Sequence, residues 1–196
     1  MPGRFTVDTE GEPGRGTSRR ASFTGLLVVM AATSMIFAAF TSALVVRRGV
    51  SGDWVAPPLP PILFFNTAVL LASSAVLETA RRALHRGART AFNLWWSGGT
   101  ALGLVFLAGQ CIAWRQLDHG GFHLAGNPGS SFFYLLTAAH ALHLVGGVSA
   151  LLYVDVQALR LRLGPAKRTA VDISAWFWHF LDGLWIYLMV LFCVWG

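Results

Sequence analysis

Charge is what this sequence has least of. Only 12% of its 196 residues are Asp, Glu, Lys or Arg, 55% are hydrophobic, and the mean hydropathy is +0.56. A water-soluble domain carries about 25% charged residues, so that class is excluded. Cysteine is also scarce. Cys111 and Cys193 are the two present, they form no CxxC pair and each falls inside an apolar run. A disulfide framework and a thiolate metal site are therefore excluded, and both are read as buried apolar thiols. The six histidines are too few for a membrane di-iron enzyme, and a bis-histidine haem bundle needs them stacked on one helix face at two depths. The chain shows no internal repeat and no second soluble domain.

What the chain has instead is five apolar segments of about 20 residues, the length a helix needs to cross a bilayer. They run Thr24 to Val46, Ile62 to Ala80, Leu94 to Trp114, Ser131 to Val154 and Ile173 to Trp195. Backbone groups in hydrocarbon must be satisfied within each segment, which predicts an all-α integral membrane bundle of five transmembrane helices spanning residues 23–196. Residues 1–22, rich in Gly, Pro and charge, read as a flexible tail. The first apolar run lacks a small-residue cleavage site, so it is expected to stay as a span and not to be removed as a signal peptide. Prolines 57, 58, 60 and 61 make the first external link short and stiff. "DHGGFHLAGNPGSS" forms the second, with turn chemistry throughout.

The basic residues orient the bundle. Of 15 Lys and Arg, three (Arg47, Arg48, Arg115) lie on one side and the rest on the other. That bias predicts a cytoplasmic N-terminus and a periplasmic C-terminus in a bacterial inner membrane. The net charge of +6 and pI near 10.4 are explained by loops against anionic lipid, with no nucleic acid partner.

Polar groups inside the spans are costly in hydrocarbon and mark where function can reside. His140 and His143 share one face of span four, and His179 and Asp182 one face of span five, each pair three residues apart. At 1.5 Å per residue Asp182 and His143 lie roughly 14 to 16 Å inside the membrane. These four are expected to form a buried polar network that locks helices together, with no metal site and no catalytic residue. Glu78, near the end of span two, faces Arg81 and Arg82, so an interfacial ion pair is expected there. Gly99 and Gly103 have small-xxx-small spacing, and Gly146 with Gly147 offers a second flat surface. Trp95, Trp96, Trp114, Trp176, Trp178 and Trp195 lie mostly near span ends, where interfacial anchoring is ordinary.

Three stretches carry a resemblance. "WFWHFLDGLWIYL" resembles the YWHFVDxxWxxL signature in the last helix of subunit III of haem–copper cytochrome c oxidases. "FFYLLTAAHALHLVGG" resembles that family's FYxxTGxHGxHVxxG helix, and "FFNTAVLLASSAVLETA" its LNTxxLLxSSxTxxxA helix. The order is right, and the short bacterial form of the family has five helices. The resemblance implies a non-catalytic subunit of a proton-pumping terminal oxidase that reduces oxygen to water in aerobic respiration. Such a subunit packs on subunit I, holds phospholipid in a cleft and supports proton uptake and complex stability. It holds no cofactor of its own; haem and copper belong to partner subunits. Subunit I and subunit II are the implied partners, with subunit IV as a further candidate. Glu78, Arg81, Arg82 and Asn66 are candidate contacts for a lipid headgroup or interface. One departure stands out: "ATSMIFAAF" puts Thr33 where the family's SExMFF stretch has an intramembrane glutamate. The alternative within the same fold is an accessory protein of a nitric-oxide reductase or a quinol oxidase.

Overall fold

The structure, a computed structural model, describes residues 13–50, 52, 54–55, 58–123, 126–160 and 165–195, with side chains from 19 in the first helix and over 168–194 in the last. Among these residues there is no strand. Five helices follow one another: α1 (Pro13–Val50), α2 (Pro61–His85), α3 (Arg89–His119), α4 (Pro128–Leu159) and α5 (Pro165–Trp195). All five are long and apolar enough to cross a membrane. The first four exceed the hydropathy segments at both ends and α5 does so at its start, because a helix continues past the hydrocarbon wherever polar residues keep helical propensity. Helix α1 starts at Pro13, so residues 13–22 of the stretch read as a flexible tail are helical; residues 1–12 lie outside the described residues. Helix α3 likewise runs on through Asp118 and His119 into the stretch read as the link to α4.

Local chemistry sets the boundaries. Pro61 and Pro128 occupy first-turn positions, where a missing amide hydrogen costs nothing and φ is already helical. Pro60 before α2 is extended (φ −62°, ψ 140°). Asn127 caps α4, its Oδ1 accepting from Ser130 N at 3.0 Å while its Nδ2 donates to Ser130 Oγ at 2.9 Å. Gly87 follows the C-cap Arg86 of α2, and its φ of +77° suits a residue without a β-carbon. Gly87 N then reaches Leu84 O and Ala88 N reaches Ala83 O, both at 3.0 Å, so the last carbonyls are satisfied. Gly121 (φ +83°) ends α3 in the same way, with Phe122 N bonded to Leu117 O at 3.1 Å.

The bundle is unevenly packed. Helices α2 and α3 approach most closely. The Leu77 side chain fills the space over Gly99, where a β-carbon would meet it at 2.6 Å, and Ser73 Oγ donates to Gly99 O at 2.8 Å. Helix α5 packs against α1, α2 and α4 and also meets α3 through side chains, whereas among the described residues α1 packs against α4 and α5. Much of α1 is exposed, including Leu27, Val28, Met35 and Val46. Side chains that apolar in a membrane span face lipid or another subunit.

Candidate functional site

Trp185 on α5 is where four helices meet. Its ring is 1% exposed, stacks on His140 of α4 (centroids 5.1 Å apart, 29° between planes) and meets Phe106 of α3 edge-on at 5.1 Å. Its Nε1 donates to Thr67 Oγ1 of α2 at 3.0 Å, and that hydroxyl donates to Leu63 O at 2.8 Å. A threonine in a membrane helix can satisfy its proton on its own preceding turn and still accept from a neighbour, so the indole is paired without breaking the α2 ladder. The same device joins α3 to α4: Trp114 Nε1 donates to Thr137 Oγ1 at 3.1 Å, and Thr137 donates to Phe133 O at 2.7 Å. Thr67, Thr137, His140 and Trp185 come from the three sequence motifs.

The four polar residues expected in one network occupy separate settings. His179 Nδ1 is hydrogen-bonded to the Ser74 hydroxyl of α2, and its Nε2 lies 3.9 Å from Glu78 Oε2. Asp182, 4% exposed, has neither carboxylate oxygen bonded, although Ser74 is its neighbouring hydroxyl. His143 turns back to its own helix, Nδ1 donating to Ala139 O at 2.7 Å. His140, 1% exposed, has no hydrogen-bond partner at either ring nitrogen. Phe37 of α1 lies edge-on to both imidazoles, 6.4 Å from His140 and 5.8 Å from His143. The α4 pair therefore faces aromatic rings, and the α5 pair faces α2. Residues three apart share a face, but which neighbour that face meets depends on helix rotation.

Glu78 is the centre of a charged cluster at the end of the bundle where α2 finishes and α5 begins. It accepts from Arg81 Nε at 2.8 Å and Nη2 at 3.2 Å and from Arg82 Nε at 3.0 Å. Arg81 also reaches Asp172 Oδ1 at 3.9 Å, and His85 Nε2 lies 3.7 Å from the same oxygen. The Arg81 guanidinium sits 6.0 Å from the Trp176 ring centroid. Glu78, Arg81 and Arg82 thus stand together, as their spacing suggests, and Asp172 and Ser74 join them without having been singled out in the sequence. The available signal was the stripe Thr67, Ser74, Glu78, spaced seven and four apart, which keeps one face of α2 toward α5.

Other expectations are corrected by the packing. Asn66 is not at an interface: it is 1% exposed, with its carboxamide pressed on Gly109 of α3. Gly99 and Gly103 do not share one partner, since Gly99 faces Leu77 on α2 and Gly103 faces Trp178 on α5. Gly147 packs against Leu181 and Trp178, but Gly146 has nothing within 4 Å. Cys111 and Cys193 are exposed on the outside of the bundle, not buried. Trp96 and Trp178 are core residues at 0% exposure, and Trp96 Nε1 donates to Leu151 O at 3.1 Å. Trp95 and Trp176 remain exposed, as anchoring requires. Thr33 is 2% exposed, one turn before Phe37 on α1.

Among the described residues, no three His, Cys, Asp or Glu side chains converge as a metal-ligand set. The histidines of α4 and α5 point into different surroundings, so they do not fit a haem or copper centre. The family model for cytochrome c oxidase subunit III matches residues 23–196. The chain belongs to the cytochrome c oxidase subunit III family. It is 30% identical over 168 residues to a probable cytochrome c oxidase subunit 3 of Nocardia farcinica, covering 83% of this chain and 82% of that protein. It is 32% identical over 168 residues to a probable subunit 3 of Mycobacterium tuberculosis, covering 84% and 83%. With the subunit 3 of a Synechocystis strain it shares 30% identity over 174 residues, 85% of this chain and 72% of the other. Membership and five apolar helices make it a multi-pass protein of the bacterial cell membrane, part of a multisubunit respiratory complex in electron transport. The family is consistent with a chain that holds no redox centre of its own.

Proposed function

We propose that this subunit III acts as a non-catalytic scaffold: it packs on subunit I, retains phospholipid and supports proton uptake and the stability of a proton-pumping terminal oxidase. The observation that carries this reading is the Trp185 junction, where side chains of all three family motifs pack and hydrogen-bond to one another. Buried polar contacts of this kind tie membrane helices together and give a partner a rigid surface. The excess of basic residues at one end supports a cytoplasmic N-terminus.

Lipid retention is supported at two places. Glu78, Arg81 and Arg82 form a charged cluster of the kind that meets headgroups at a membrane surface. At the other end, an open groove of about 1050 Å³ runs between α1 (Ala39, Ala43, Val46) and the start of α4 (Asn127, Ser131, Phe132). Its lining is mostly apolar, with Arg47 and Asn127 among its polar groups, which suits an acyl chain with an attached headgroup.

Isolation of the chain from its native membrane in mild detergent, with subunit identification, an optical spectrum and lipid analysis, tests the reading. Co-purification of subunits I and II with haem a and retained phospholipid is the expected result. A partner with b-type haem alone would replace it with the quinol-oxidase or nitric-oxide reductase alternative, and metal bound to this chain by itself would overturn it.

A further inference from the structure

Three of the most deeply buried polar side chains lie at one level of the bundle and have unpaired atoms. Asn66 (1% exposed), Gln110 (2%) and His140 (1%) come from α2, α3 and α4. The unpaired atoms are Asn66 Nδ2, both carboxamide atoms of Gln110 and both ring nitrogens of His140. Contacts already described put them together. Asn66 rests on Gly109, the neighbour of Gln110. Trp114 and Thr137 are bonded across α3 and α4. One turn further along this antiparallel pair, in the same direction, come Gln110 and His140, which lie at a common level of α3 and α4. Trp185 closes the layer from α5, stacked on His140 and bonded to Thr67 beside Asn66. Phe37 closes it from α1.

We propose that Asn66, Gln110 and His140 form an internal binding site for water inside the helix bundle, sealed by Trp185 and Phe37. The chemistry of the unpaired atoms selects the ligand. Asn66 Nδ2 and Gln110 Nε2 are donors, Gln110 Oε1 is an acceptor, and a neutral imidazole supplies one of each. Water donates twice and accepts twice, so it serves a mixed set that an anion, cation or apolar molecule does not. In a bilayer interior no bulk solvent can do this, and buried amides left unpaired are costly. The site lies wholly within this chain and does not depend on which surface meets subunit I. Its role is to hold the His140 ring in one orientation beneath Trp185 and to join α2, α3 and α4 through a shared ligand.

The test is a structure of the intact oxidase complex at a resolution that shows ordered water. The expected result is at least one water about 2.7 to 3.2 Å from a His140 ring nitrogen and from the carboxamide of Gln110 or Asn66. A His140 nitrogen bonded directly to either carboxamide with no water between them would overturn the proposal, as would a dry layer. Gln110→Met keeps the side-chain length and removes both polar ends. In the complex carrying it, the water's occupancy is expected to fall by at least half; an unchanged peak would show that Gln110 does not hold it and would overturn the proposal. The wild-type structure decides the matter even if that variant fails to assemble.

Discussion

The indole of Trp178 occupies the space that a side chain at Gly103 would need: a β-carbon there would meet the ring's Cη2 at 2.7 Å. Trp178 is itself fully buried, so the ring has nowhere to move. Glycine at 103 is therefore a packing requirement, since the helix would otherwise favour alanine by about 0.5 to 1 kcal/mol. Overpacking a core costs about 1 to 3 kcal/mol and outweighs that gain. Gly103→Ala is expected to lower the melting temperature of the purified subunit or complex. Gly146→Ala, with nothing within 4 Å of the new carbon, is the control and is expected to leave it unchanged or raise it slightly. Equal effects at the two positions would contradict this account of the interface.

Trp185 combines one hydrogen bond with two aromatic contacts, and two substitutions separate them. Trp185→Phe removes the donor to Thr67 but keeps a ring against His140 and Phe106. A loss of about 1 kcal/mol is expected, because Thr67 still has its bond to Leu63 O. Trp185→Ala empties the junction and is expected to cost about 3 to 5 kcal/mol, enough to impair assembly. Chemical or thermal unfolding of the detergent-solubilised complex measures both.

At Thr33 the buried setting decides what can replace the residue. The side chain is 2% exposed on the part of α1 that packs against α4 and α5. A glutamate there must bury a longer, ionisable group in a filled space. Thr33→Glu is expected to reduce the amount of assembled complex in the membrane, whereas Thr33→Val, close in volume, is expected to assemble. Normal assembly of the glutamate variant would mean that the family's acid site survives as a pocket.

Asp182 is buried beside Ser74 with both carboxylate oxygens unbonded. Asp182→Ala leaves a small cavity against α2 and should cost about 1 to 3 kcal/mol by the range typical of buried substitutions. The optical haem spectrum of complexes that do assemble is expected to be unchanged, because this side chain faces Ser74 on α2. Disappearance of that spectrum from a fully assembled complex would instead assign Asp182 a ligand role.

Composition and hydropathy alone determined that the chain is a five-helix membrane protein, because a run of about 20 apolar residues has few alternatives in a bilayer. Short-range chemistry was equally legible: Pro61 and Pro128 at helix starts, Asn127 as a cap, and Glu78 within reach of arginines three and four residues on. These depend on neighbours along the chain. Tertiary structure decided the rest, because a helix's rotation about its axis is set by packing against several others at once. That rotation sent Gly99 to α2 and Gly103 to α5, turned Cys111 and Cys193 outward, and took Trp96 and Trp178 into the core although they lie near span ends. It also parted His179 and Asp182 from His140 and His143, giving one pair to Ser74 and the other to aromatic rings. Spacing places two residues on a common face; only the assembled bundle determines what that face touches.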